Sequence, residues 1–384
     1  MSNIYLKEEH LLLQKMVRDF SNQELKPIAQ DIDKYSQFPK ESIKKISELG
    51  LMGIPWSPKY GGGGMDNLSL VIAIEEMAKA CVSTAVTVMA HTSLGSGPFA
   101  LFGTEKQKEN YLTKLSKGEM IGAFGLTEPN AGSDAGNTQT VAILKDDKFI
   151  VNGQKVFCTN AGVAGVIIFT AQIIENDKNK GIGALFVDAK TKGLKLGPPE
   201  NKMGWKGSDT RSVYFDQMEI PSNNILGEPN KGFKQFLKTL TGGRISIAAL
   251  SLGICEAAYE ASLKYSNERT AFGKKINKFQ SISFKLADMA IQIEAARHLI
   301  YNAAWLKDKG ENIVKEAAMA KLYTSELAMR LTTEAIQIHG GFGYIREYNV
   351  ERFFRDSKIL EIGEGTSEVQ RIIISREILK SLEY

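Results

Sequence analysis

Apolar residues recur at helical spacing through the first third of the chain and again through the last, with short β-rich runs between. Leu12, Met16, Val17 and Phe20 share one helical face, and Ile43, Ile46 and Leu49 do so again before a stop at Gly50. An apolar helix pair is expected over 68–102. The run 61–64 of four glycines lacks the GxGxxG spacing and the preceding strand of a dinucleotide fingerprint, and reads as a loop. The pattern changes near Ile121. The stretch 148–151, the dipeptide Asn152-Gly153 and the stretch 154–159 have the form of a β-hairpin, and 165–172, 182–187 and 213–215 read as further strands. Strands do not alternate with long helices here, so an antiparallel sheet or small barrel is expected rather than a Rossmann domain. After Gly232 the helical period returns, with helices expected over 233–267, 281–309, 313–338 and 367–382, which suggests a bundle. The reading is an α+β, mainly helical fold. It has an N-terminal helical domain over 1–120, a β domain over 121–230 and a C-terminal four-helix bundle over 231–384.

Composition narrows the class. Apolar residues make up 43% and charged residues 24% of 384 positions, as in soluble globular proteins of two or three packed units. A net charge of +4, from 48 basic and 44 acidic residues without a basic run, does not suggest a nucleic-acid partner. Cys81, Cys158 and Cys255 have no CxxC spacing and read as reduced, buried thiols. His10, His91, His298 and His339 show no HExxH pairing, so no metal is expected. The first residues have neither a signal-peptide nor a transit-peptide pattern, and no apolar run is long enough to insert in a bilayer. A cytoplasmic protein is expected, unless a presequence has been removed.

Three segments break the patterns around them. Gly125-Leu126-Thr127-Glu128-Pro129-Asn130-Ala131-Gly132-Ser133-Asp134 is dense in hydroxyls and small residues, suited to a flat polar ligand or to a well-bonded linker. Gln337-Ile338-His339-Gly340-Gly341-Phe342-Gly343 carries more glycine than a helix end needs, which allows close approach of a ligand or makes a tight turn. Gly363-Glu364-Gly365-Thr366 precedes Ser367 and Gln370, which fit a capping box for the last helix. By itself Glu364 reads as a loop acid at a helix N-terminus.

Together, and in this order, the three segments resemble the signatures of the acyl-CoA dehydrogenase family over essentially the whole chain. The first differs at Asn137, where a small residue is usual, and the second continues to Glu347, Arg352 and Asp356. The resemblance implies FAD held between sheet and bundle, with Glu364 as the base that takes the proton alpha to a thioester carbonyl. It places Phe124, Leu126 and Thr127 at the flavin edge, and Phe157 and Thr159 at the ring's other contact. Phe157 stands where many relatives have Trp. Ser133 would face both flavin and thioester. Arg269, Phe272, Gln280, Gln337 and Gly341 would meet the adenine half of FAD from a neighbouring subunit, with Thr366 and Glu368 also at the cofactor. This implies a homotetramer, a dimer of dimers.

The same resemblance puts Thr241, Arg244 and Gly365 at the acyl-CoA, although Thr241 stands where an acid is common. Some relatives carry their base one residue before this arginine; here that residue is Gly243. The implied reaction gives a trans-2-enoyl-CoA and passes electrons to an electron-transfer flavoprotein. Short to medium saturated acyl-CoAs are expected, with branched short chains as the alternative because Gly363 replaces a bulky aromatic. An acyl-CoA oxidase and a silent CoA- or flavin-binding scaffold are the other readings.

Overall fold

The computed structural model describes residues 4–380. The first helical part runs through α1 (Glu8–Phe20), α2 (Ala29–Tyr35), α3 (Lys40–Glu48), α4 (Asn67–Ala80), α5 (Val82–Met89), α6 (Gly97–Phe102), α7 (Glu105–Gln107) and α8 (Thr113–Ser116). Between α5 and α6 the chain widens into a π-helical turn, Ala90–Ser96. Its His91 accepts from the Gly122 N–H at 3.1 Å and bonds the Leu115 carbonyl at 3.0 Å, which ties the turn to the start of the sheet. The glycine run 61–64 is indeed a loop, entered through Gly61 at a φ of 73°.

Seven strands follow: β1 (Gly122–Gly125), β2 (Val141–Lys145), β3 (Lys148–Thr159), β4 (Val166–Glu175), β5 (Lys178–Asp188), β6 (Leu194–Pro199) and β7 (Thr210–Pro221). β1 and β2 both pair in parallel with β4, β1 over Val166–Phe169 and β2 over Gln172–Ile174. The remaining pairings are antiparallel, so the sheet is mixed rather than purely antiparallel. Because β1 and β2 lie in line along one edge of β4, the chain between them, 126–140, is thrown out of the sheet as an excursion.

The expected hairpin at Asn152-Gly153 is not one. β3 runs straight through it, with a bulge against β7 between Val151 and Gly153. Asn152 Oδ1 accepts from the Gln217 N–H at 2.9 Å, and a β-carbon at Gly153 would strike Thr140. The pair thus serves a bulge under close backbone approach, a use of glycine that shares its sequence signal with a turn. The two-residue reversals fall instead at Asp146-Asp147 and at Asn176-Asp177, both of the latter at positive φ.

The last part holds α9 (Gly232–Glu268), α10 (Gln280–Asp308), α11 (Val314–His339), α12 (Val350–Ser357) and α13 (Ser367–Lys380). Buried residues of α4 and α5 join those of α9, α10 and α11 in one continuous core, while the sheet keeps a core of its own. α9 and α4 cross at Gly253, where a β-carbon would collide with the Glu75 carbonyl and Ala78. That contact brings the first half of α9 against the π-helical turn through Ser93 and Ser246, whose hydroxyls lie 2.9 Å apart.

Candidate functional site

After α12 a single 3-10 turn, Lys358–Glu361, leads into a short loop before α13. Within it Glu364 and Gly365 both take positive φ, 54° and 95°. For glutamate this is a costly conformation, held only where the surroundings over-determine it. Three bonds do so. Gln370 Nε2 donates to the Glu364 and Gly365 carbonyls at 3.3 and 2.9 Å, and Lys321 Nζ on α11 donates to the Gly365 carbonyl at 2.7 Å. The helix cap differs from the expected box. Thr366 Oγ1 accepts the Val369 N–H at 3.3 Å, the Ser367 hydroxyl has no partner among the described residues, and Gln370 turns back to the loop. The positive-φ pair presents its carbonyls to Gln370, which competes with capping for that amide.

The loop sends the Glu364 carboxylate over α9. Oε2 lies against Gly243, so close that a β-carbon there would overlap it, with Leu94 of the π-helical turn beside them. Both carboxylate oxygens are buried, without a hydrogen-bond partner among the described residues. Burial pushes the Glu364 proton affinity up, to about 7, against the opposing pull of Arg244 and Lys321. Arg244, next along α9, is buried with an unpaired Nε, and desolvation lowers its proton affinity. Thr241, just upstream, donates to the Leu237 carbonyl at 3.0 Å. A dry carboxylate poised near neutrality beside a buried cation is suited to accepting a proton from carbon.

The excursion 126–140 is fixed from beneath by Lys155 of β3. Its buried ammonium donates to Glu128 at 2.6 Å, Thr170 at 2.9 Å and the Leu126 carbonyl at 3.4 Å. Glu128 in turn accepts the Gln139 and Thr140 N–H groups at 2.6 and 3.1 Å. Val156 N–H donates to the Thr127 carbonyl at 2.8 Å, so 124–128 and 155–159 form one surface. Phe124 is backed by Phe236, ring centroids 4.1 Å apart, and Thr159 pairs with Thr210. Phe157 stands out at a φ of 57° with 65% of its area exposed, and Ser133 is exposed on the loop.

A third group surrounds a cavity of about 440 Å³ lined by Tyr265, Arg269, Ile276, His339, Gly341 and Phe342. The Arg269 guanidinium lies 5.7 Å from the Phe342 ring centre, and Tyr265 stacks on His339 at 4.3 Å. Gln280 and Gln337 are exposed at the start of α10 and near the end of α11, and Phe272 is 96% exposed. Glu368 is exposed on the first turn of α13. Among the described residues one trio, Glu9, His10 and Asp66, has its potential ligand atoms within 4.8 Å of one another. His10 spends both nitrogens there, Nδ1 on the Lys7 N–H and Nε2 on Asp66.

Sequence reasoning passed over Lys321 and Lys155, and gave Gln370 to a helix cap rather than to the loop carbonyls it bonds. One signal was present for Lys321: it sits on the buried stripe of α11 with Ala317, Ala318, Thr324 and Ser325, an unusual place for a lysine.

The arrangement sets a buried carboxylate beside a buried cation and leaves the Phe157 ring exposed on the neighbouring sheet surface. The models of the acyl-CoA dehydrogenase N-terminal, middle and C-terminal domains match residues 7–119, 123–218 and 230–379. A probable acyl-CoA dehydrogenase of Bacillus subtilis, YngJ, is 52% identical, with 98% of this chain and 100% of that protein covered. A short-chain specific acyl-CoA dehydrogenase of Clostridium acetobutylicum is 47% identical over 98% of this chain and 99% of its own. The butyryl-CoA dehydrogenase structure from Megasphaera elsdenii superposes with a TM-score of 0.95 at 45% identity, covering 97% of this chain and 99% of that one. The chain belongs to the acyl-CoA dehydrogenase family and is an oxidoreductase acting on acyl-CoA.

Proposed function

We propose that this protein converts short-chain saturated acyl-CoA to the trans-2-enoyl thioester, with Glu364 as the base and FAD as the cofactor. The buried, unpartnered Glu364 carboxylate, its proton affinity raised to about 7, carries the reading. A thioester alpha proton is weakly acidic, and a base titrating near neutrality is matched to removing it. The Glu364 N–H, which donates to no backbone carbonyl among the described residues, meets the thioester oxygen where charge develops. Leu94 and Gly243 of α9 stand beside the carboxylate, whose oxygens are buried. Arg244, Thr241 and Gly365 line the path of the thioester and its CoA chain.

The residues present fit FAD. Phe157 offers an exposed ring, and a β-carbon at Gly341 would meet nothing within 4 Å. Phe124, Leu126, Thr127, Ser133, Phe157 and Thr159 hold the flavin, with Thr366 and Glu368 at the catalytic loop. Arg269, Phe272, Gln280, Gln337 and Gly341 serve the adenine half of a neighbouring copy's FAD, in a homotetramer. Bound FAD supplies the acceptor for hydride from the beta carbon, and the electrons go on to an electron-transfer flavoprotein.

Short chains are favoured by the short-chain and butyryl-CoA relatives. At Gly363 a β-carbon would touch only the Ile359 carbonyl, at 3.4 Å, so local packing does not demand the glycine. Its smallness is left to shape the pocket. The test is anaerobic bleaching of the flavin by butyryl-CoA. Glu364→Gln is expected to keep the flavin spectrum and lose reduction by about 10²–10⁴-fold. A variant that bleaches at the native rate removes the base assignment.

A further inference from the structure

The reading of Glu364 as base leaves open why the group that holds its loop from α11 is a buried cation. Lys321 has a side chain fully withdrawn from solvent, on a stripe of α11 where its neighbours are alanine, serine and threonine. Among the described residues its ammonium makes one hydrogen bond, to the Gly365 carbonyl at 2.7 Å, an acceptor it shares with Gln370. Filling that volume requires no charge, and methionine would do it. Burying an ammonium against a single neutral carbonyl is costly unless the charge itself is used.

We propose that Lys321 is a positioning residue for the reaction: through the Gly365 carbonyl it holds Glu364 in its left-handed conformation, and through its charge it sets the pH at which that carboxylate becomes a base. The geometry ties both effects to one side chain. Gly365 follows Glu364 directly, and the two positive φ values, 54° and 95°, turn the Gly365 carbonyl toward α11 while the carboxylate goes to α9. Gln370 Nε2 alone, divided between two carbonyls, leaves the loop held from one side.

The charged groups around this pair come from four elements. Arg244 of α9 and Lys321 of α11 both favour the ionised form of Glu364. Lys321 in turn feels Glu364 and Arg244, together with Glu361 of the preceding turn and Glu326 of its own helix. Glu326 is engaged by Arg371, at 2.9 Å, and Arg376 of α13 acts on Arg244. Burial lowers the Lys321 proton affinity to about 8, so the ammonium is still charged where Glu364 titrates. Arg244 lies beside the thioester path and cannot be changed without touching substrate, whereas Lys321 acts from behind the loop.

The proposal rests on Glu364 being the base, and the experiment separates the two. The rate of flavin reduction by butyryl-CoA is measured from pH 5.5 to 9.5 on the FAD-loaded wild type, Lys321→Met, Lys321→Gln, Lys321→Arg and Glu364→Gln. Both neutral variants are expected to move the half-maximal pH upward by about one unit, costing about tenfold in rate on the acid limb, while Lys321→Arg keeps the native limb. Two neutral variants of different shape guard against one failing to fold. A loss of stability alone would lower the plateau and leave the limb in place. Neutral variants with the native limb, or an arginine variant shifted as far as methionine, overturn the proposal. If Glu364→Gln itself reduces flavin at the native rate, the base reading has failed instead.

Discussion

Glu364 Oε2 rests on Gly243 so closely that a β-carbon at position 243 would overlap the carboxylate where it stands, and one of the two would have to shift. One residue of α9 therefore decides whether the carboxylate of a loop 121 positions further along can reach its place. Gly243→Ala is expected to displace the base, because the atoms nearest the added carbon belong to the carboxylate, with Leu94 next. A shift of about 1 Å costs about 100-fold in rate. The measurement is flavin reduction by butyryl-CoA alongside the melting temperature; a native rate would show that the carboxylate has room to move aside.

The raised proton affinity of Glu364 has opposite consequences for rate and stability. Burial lifts it from an ordinary 4.5 to about 7, so the native state holds this proton more tightly than the unfolded chain does. The stabilisation this gives is complete below pH 4.5 and is lost as pH rises through about 7. The base must be ionised to act, so the reduction rate rises over the same interval. Glu364→Gln, which mimics the protonated form, is expected to match the wild type in melting temperature near pH 4.5 and to exceed it at pH 8. Equal melting temperatures at both pH values would mean that the carboxylate is not desolvated.

Much of this architecture is legible in the chain because it depends on neighbours a few residues apart. α9 begins and ends within a residue of its expected span, since its apolar stripe and its bounding positions are local. The Glu364 segment was legible through resemblance rather than spacing, which alone gives a solvated loop acid. What failed or was missed depends on distant partners. Asn152-Gly153 has the composition of a turn and becomes a bulge because Thr140 and Gln217 pack on it. Ser367 looked like a cap, but the positive-φ loop before it moved the cap to Thr366. Lys321 meets a carbonyl 44 residues away and Lys155 a carboxylate 27 residues away; the small-residue stripe of α11 is a local mark of burial for Lys321, and Lys155 has none.

Lys155 supports the excursion from below, and removing it tests that support. Lys155→Met leaves Glu128 buried with its charge uncompensated, at a cost of about 3–5 kcal/mol. The Leu126 carbonyl loses its donor at the same time, so FAD retention should fall along with the denaturation midpoint. Lys155→Met combined with Glu128→Gln is expected to recover part of the stability, because the orphaned charge is gone. Equal midpoints for the single and double variants would show that the orphaned Glu128 charge is not what destabilises Lys155→Met.

Two glycines separate packing from ligand binding. At Gly253 a β-carbon would strike the Glu75 carbonyl and Ala78, so Gly253→Val should drive α9 and α4 apart and destabilise the whole chain. At Gly341 the same added carbon would meet nothing, and the φ there is not left-handed. Folding does not need that glycine, yet it opens on the cavity beside Arg269. Gly341→Val is therefore expected to leave the melting temperature of the flavin-free protein unchanged while lowering FAD retention at least about tenfold, by filling space the cofactor needs. The readout is the ratio of flavin to protein absorbance after dialysis. A flavin content equal to the wild type would exclude the cavity from FAD binding, and a large loss of stability without flavin would show that the glycine serves the turn after α11 instead.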